Sequence, residues 1–154
     1  MLTGPAPPTS SSNQIQKSSI NCQGSETNNG HTYAITSRKM NHADAQAAAA
    51  SAGGYLVTIT TKAENDWLTA TFERIYGDIW IGAKDDVSEG TWVWYNGTGE
   101  NFSKNSVWPS DNTTRKFCSR EPNNTGDCAQ IFKKSGCWDD TTCSSSKLGI
   151  IEFE

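Results

Sequence analysis

Long apolar runs are missing from this sequence. No stretch approaches the roughly 18 consecutive apolar residues that would cross a bilayer as a helix, so nothing in it spans a membrane in that way. Clustered basic charge is missing too. Thirteen Lys and Arg stand against seventeen Asp and Glu, for a net charge of −4, and no basic stripe is present. Nucleic acid and anionic membrane surfaces are therefore poor partners. Histidine is limited to His31 and His42, and the C-x₂-C spacing of zinc sites is absent, so zinc is a weak option. No nucleophile with an adjacent base stands out. A carboxylate pair for glycoside hydrolysis can be drawn, but nothing marks either member as an acid, so the chain is read as a binding protein and not an enzyme. The N-terminus lacks the apolar core of a signal peptide. Residues 1–20 read as a flexible Pro/Ser linker, and the expectation is a domain, 21–154, cut from a longer exported protein.

Cysteine, by contrast, is plentiful, with five residues: Cys22, Cys118, Cys128, Cys137 and Cys143. A single domain of 154 residues does not need crosslinks to bury a core. Four of the five crowd into one window, which points to disulfides and an oxidising, extracellular or periplasmic setting. The sequence alone leaves the pairing open. Asn96, Asn101, Asn112 and Asn123 each open a glycosylation sequon, a weak signal in an Asn/Thr-rich chain.

Cys22 to Gly30 reads as loop, and His31–Thr36 as a strand from its β-branched and aromatic content. Asn41 offers an N-cap to an Ala-dense helix over Ala43–Ala52, closed by Gly53-Gly54. Tyr55–Thr60 is a second strand. Thr61-x-x-Glu64 is a capping box opening a helix to Gly77, whose Trp67, Leu68, Phe72 and Ile75 form one apolar stripe. Ile79–Ile81 is a short strand interrupted by Gly82, and an acidic turn runs from Asp85 to Gly90. Thr91–Tyr95 is a strand turned by Asn96-Gly97. Glu100–Ser119 is a long irregular loop anchored by Trp108-Pro109. The aromatic and Asn/Thr residues of Asn101–Ser119 are expected at the surface. Asp127–Phe132 is a strand, a hairpin turns through Lys133–Gly136 to Cys137-Trp138, and Leu148–Phe153 closes the chain as a strand. Helices early and strands late make an α+β domain on an antiparallel sheet.

The window from Arg120 to Cys143 holds the chemistry. Glu121-Pro122-Asn123-Asn124 and Trp138-Asp139-Asp140 are two oxygen-rich clusters with Asp127-Cys128 between them. Hard cations such as Ca²⁺ take about 6–8 oxygen ligands, and this window offers carboxylates and amides. If Cys128 bonds Cys143, both clusters are stapled to neighbouring backbone. Carboxylates so crowded repel unless a cation lies among them.

These residues resemble a C-type lectin-like domain over roughly Gly30 to Glu154. Trp80-Ile-Gly82 is similar to the family's Trp-Ile-Gly signature, and Glu89-Gly90 with Trp92 and Trp94 to the segment after it. Glu121-Pro122-Asn123 matches the Glu-Pro-Asn motif of members that bind mannose, glucose, N-acetylglucosamine or fucose. Asp127-Cys128 and Trp138-Asp139-Asp140-x-x-Cys143 match the flanks of the Trp-Asn-Asp motif. The resemblance implies two helices, two small antiparallel sheets and a long calcium-binding loop region beside a cis-Pro. It implies Ca²⁺ held by Glu121, Asn123, Asp127, Asp139 and Asp140, with Glu121, Asn123 and Asp139 also meeting two vicinal hydroxyls of a glycan.

Four departures accompany the resemblance. Asp139 stands where the family has Asn, which replaces a donor with an acceptor. The Glu expected just before Asp127 is absent. Asp85, Glu89 and Asn124 line up with an auxiliary calcium site in which an amide replaces a carboxylate, so that second site is not expected. The family's long bridge is missing, with Ala49 and Ile151 in its places, while Cys128–Cys143 survives. The fold would also bring Cys118 to Cys137, which leaves Cys22 over. The reading is a calcium-dependent lectin module, part of an extracellular adhesin or surface receptor. A protein- or ice-binding scaffold of the same fold is the alternative.

Overall fold

The computed structural model describes residues 22–96, 99–132 and 134–154, and the side chains of 22–25 lie outside it. The expected linker over 1–20, the Gly97 half of the Asn96-Gly97 turn and the side chain of Cys22 therefore lie outside the described residues.

The first sheet has the order β1-β2-β10-β3, formed by β1 (Cys22–Asn28), β2 (His31–Thr36), β3 (Tyr55–Leu56) and β10 (Ile150–Phe153). The first and last described strands thus share one sheet. β1 corrects the loop expected over Cys22–Gly30. It pairs with β2 across Asn29-Gly30, both in the left-handed region at φ 51° and 83°. An Asn-Gly pair in that conformation matches the strand twist and forms a two-residue hairpin, so polar Cys22–Asn28 is drawn into the sheet as an edge. β3 is shorter than the strand expected to Thr60.

Helix α1 (His42–Ser51) is capped by Asn41, whose side chain accepts from Asp44 N. Its small residues let it lie close on the first sheet. Ala49 and Ile151 occupy one apolar cluster with Ala34, Ala52 and Phe153, so packing stands where the family's long bridge would be. Helix α2 (Lys62–Leu68) is capped by Thr61, and the Glu64 carboxylate turns back to accept from Thr60 N at 3.0 Å and from the Tyr33 hydroxyl at 2.8 Å. A π-helical turn, Thr69–Glu73, comes next, before the short α3 (Arg74–Tyr76). The extra residue rotates the apolar face. Phe72 stays buried, but Ile75 is 68% exposed, so it leaves the stripe the sequence pattern placed it in.

The second sheet has the order β5-β4-β8-β9, formed by β4 (Ile79–Lys84), β5 (Val93–Trp94), β8 (Cys128–Phe132) and β9 (Cys137–Thr141). Gly82 does not interrupt β4. A side chain there would run into the Leu56 carbonyl, and Gly82 N instead donates to Val57 O, knitting the two sheets together. His42 is 1% exposed against this seam. Its Nε2–H donates to Ile81 O at 2.8 Å, its Nδ1 accepts from the Tyr95 hydroxyl, and burial lowers its pKa to about 4, so the ring is neutral. The segment 100–119 is not wholly irregular: β6 (Val107–Trp108) and β7 (Asp111–Arg115) make a third, two-stranded sheet across Pro109-Ser110. Its aromatics are not at the surface. Phe102, Trp108 and Phe117 are buried around Trp138, with Trp108 and Phe102 edge-on to that ring at 5.4 and 5.2 Å.

Candidate metal centre

Trp138 sets the platform. It is fully buried, and its indole N–H donates to Asn65 Oδ1 at 2.9 Å, while Asn65 Nδ2 donates to Gly136 O. Its backbone is held from the other side, since Trp138 N donates to Lys116 O and Cys118 N donates to Trp138 O, each at 2.8 Å. The next two residues of β9 are Asp139 and Asp140, 8% and 1% exposed.

The loop carrying Glu121 is pinned onto this strand by both expected disulfides. Cys118–Cys137 closes at its start and Cys128–Cys143 after its end. Glu121 N donates to Cys118 O at 2.9 Å, and the Glu121-Pro122 bond is cis, as the resemblance implied. Asp140 organises the loop beyond Pro122. Its Oδ1 accepts from Asn123 N at 2.9 Å, its Oδ2 accepts from Thr125 N at 3.1 Å, and the Thr125 hydroxyl donates to Asp140 O. Asn123 Nδ2 reaches Glu121 Oε2 at 3.4 Å. Gly126 lies so close to β9 that a Cβ would strike the Thr141 carbonyl. No Glu fits at that position, which accounts for the carboxylate missing before Asp127.

Glu121, Asp139 and Asp140 thus converge, with one oxygen from each within 4.8 Å of the others. At an effective dielectric of 20, two full charges at that distance repel by about 3 kcal/mol. The Glu121 carboxyl responds: burial first, then Asp139 and Asp140, push its pKa up to about 8. Glu121 Oε1 is buried without a hydrogen-bond donor among the described residues. An orphaned buried oxygen in a group of acids is the donor set a hard cation fits.

Asp127 lies elsewhere. The resemblance places it with the first group, but it joins Asp85 and Glu89 in a second set of oxygens, also within 4.8 Å. Asp85 N donates to Asp127 O, and Asp85 Oδ2 accepts from Gly90 N, which leaves Asp85 Oδ1 buried without a donor among the described residues. Burial, ahead of mutual repulsion, raises the pKa of both Asp85 and Asp127. This second group thus has Asp127 as its third acid, where the resemblance set Asn124 beside Asp85 and Glu89.

Three supporting residues went unread in the sequence: Thr125, Asn65 and Gln130. Gln130 donates to Asp139 Oδ2 at 2.8 Å and is 3% exposed. The hairpin register pairs Gln130 with Asp139, so the turn read at Lys133–Gly136 already carried the signal that would have found it.

Residues 38–151 match the family model described as the lectin C-type domain. C-type lectin domain family 4 member M of Nomascus concolor is 33% identical over 123 residues, which is 79% of this chain but only 28% of that relative's length. Among solved structures, the mouse scavenger receptor C-type lectin carbohydrate-recognition domain has a TM-score of 0.69 at 22% identity, covering 84% of this chain and 93% of its own. A calcium-independent type II antifreeze protein has a TM-score of 0.68 at 23% identity, covering 84% and 90%. At those identities the two solved structures speak for fold alone.

Proposed function

The chain belongs to the C-type lectin domain family, and from that premise we propose that it is a calcium-dependent carbohydrate-binding module. One observation carries the reading: Glu121, Asp139 and Asp140 converge within 4.8 Å around a buried, donor-less Glu121 oxygen. Ca²⁺ would neutralise that group, held by Glu121, Asn123, Asp139 and Asp140, with Asp127 serving the neighbouring set. The glycan would offer two vicinal equatorial hydroxyls, of mannose, glucose, N-acetylglucosamine or fucose type. A hydroxyl has one proton and two lone pairs, so it can face an ion and a carboxylate at once. Glu121 and Asp139 accept, and the Asn123 amide donates. Two hydroxyls on an open site bind weakly, so useful avidity would come from several modules. That suits an adhesin or surface receptor outside the cell, and the two disulfides suit the same oxidising setting. The role is binding, without catalysis, and the partner is a glycan, with a protein receptor as a second possibility.

The test is glycan-array binding with and without chelator, and with Glu121→Gln. Loss of binding in both cases supports the reading, and binding that persists in chelator overturns it. A second reading, a protein- or ice-binding scaffold without sugar activity, is favoured by Asp139, which presents an acceptor where a sugar oxygen would need a donor. Capture of a protein ligand that mannose does not displace, or thermal hysteresis in ice growth, would select it.

A further inference from the structure

Gln130 is an expensive residue to keep where it is. It lies in β8 between two partners, Trp80 on one side and Asp139 on the other, and is 3% exposed. Its side-chain oxygen is buried with no donor among the described residues, so the amide is left half satisfied. A buried polar atom without a partner destabilises a fold, and an apolar side chain of equal volume would avoid that. The bond the amide makes among the described residues runs from Nε2 to Asp139 Oδ2 at 2.8 Å. Turning the amide over would set oxygen against carboxylate, so among the described residues Asp139 fixes its orientation.

We propose that Gln130 is a positioning residue for the metal centre: it holds Asp139 Oδ2 from inside the sheet and turns the other carboxylate oxygen toward Glu121 and Asp140. It touches neither ion nor sugar. Its N–H also offsets part of the charge of a carboxylate that is almost fully buried beside two others. Hydrogen-bonding partners behind metal ligands orient them, and their removal commonly costs about 10–100-fold in metal affinity. The inference rests on the calcium reading above.

The experiment is a double-mutant cycle on calcium affinity, measured by calorimetry on Gln130→Met, Asp139→Ala and the double variant, with urea unfolding of each in chelator. Gln130→Met keeps the volume and removes the donor. It should weaken calcium binding about tenfold or more, while stability in chelator moves little, since losing the orphaned oxygen offsets losing the bond to Asp139. In the Asp139→Ala background the same change should leave affinity within about twofold, since nothing is left to position. Gln130→Glu, which keeps shape but repels Asp139, should weaken binding as well, and it serves if the Met variant does not fold. Equal affinity of wild type and Gln130→Met overturns the role, as does an equal loss with and without Asp139. A wild-type protein that takes up no calcium overturns both the role and the reading of the site, and the wild-type titration alone shows which has failed.

Discussion

Glu152 makes the protein less stable as pH rises from mildly acidic to neutral. It lies in β10, 3% exposed, with Oε1 accepting from Thr58 N at 3.1 Å and Oε2 2.8 Å from His31 Nδ1. Glu64 faces it across a cavity of about 260 Å³, with Tyr33, Tyr55 and Glu154 in the wall. Burial, then the charge of Glu64, raise its pKa from 4.5 to about 7, against the opposing pull of Thr58 N–H and His31. A carboxyl that holds its proton more tightly folded than unfolded stabilises the fold below its unfolded pKa. That contribution is lost as pH climbs through its folded value. The window is therefore about pH 4.5 to 7, and at about 1.4 kcal/mol per pH unit the loss is about 3 kcal/mol. Glu152→Gln removes the titration while its oxygen can still accept from Thr58 N, and its amide lies against His31 Nδ1. Urea unfolding in chelator, from pH 4.5 to 8, should show the variant equal to wild type at the acid end. It should be more stable by about 3 kcal/mol at pH 8, or about 6–12 °C in Tm. Glu73, Asp85, Glu121 and Asp127 are also raised and tilt both curves alike, so the difference isolates Glu152. A difference that stays flat with pH, or a variant weaker at pH 8, refutes the reasoning.

Removing the bridge at Cys128 and Cys143 with paired Ser substitutions should cost about 3 kcal/mol in denaturant unfolding, the value expected for a closed loop of 15 residues. Asn65→Leu leaves the Trp138 N–H and the Gly136 carbonyl without partners inside the core. It should cost about 1–3 kcal/mol per lost bond and weaken the near-UV circular dichroism of the aromatic cluster. Gly126→Ala should push the loop off Thr141 and cost about 1–3 kcal/mol. A shift of the Thr125 amide resonance would report its lost bond to Asp140.

What the sequence made legible was local chemistry. Asn41 and Thr61 cap the helices their positions predict, because capping needs only a side chain and a backbone N–H a few residues away. Both disulfides were legible only through the resemblance, since pairing Cys118 with Cys137 depends on residues 116–118 running beside Trp138, a long-range pairing. The Asn29-Gly30 signal for β1 was present and went unread because the strand it recruits is polar. The π-helical turn was not legible: Thr69–Glu73 carries no Gly or Pro, and the shift shows only in where Phe72 and Ile75 finally point. The resemblance puts Asp127 with Glu121. The backbone bond from Asp85 N to its carbonyl carries it to the other group, a long-range contact that no local pattern encodes.

Asp139 is where the departures from the family pattern compensate one another. Gly126 has no room for a side chain, so the loop lacks the acid that the resemblance places before Asp127. Asp139 restores a third carboxylate from the opposite strand, at the cost of a donor that a sugar oxygen would use. Asp139→Asn should separate the two effects. With one full charge removed from a group whose oxygens lie within 4.8 Å, calcium affinity should fall about 10–100-fold, or about 1–3 kcal/mol at intermediate dielectric. The new amide can still accept from Gln130 through its oxygen, which leaves its N–H₂ for a hydroxyl lone pair. At saturating calcium the variant should therefore bind mannose more tightly than wild type does, measured by calorimetry in the calcium-loaded state. Weaker binding of both ion and sugar would mean that Asp139 does not trade one for the other, and the compensation argument would fail. Unchanged calcium affinity would mean that its carboxylate lies outside the coordination shell.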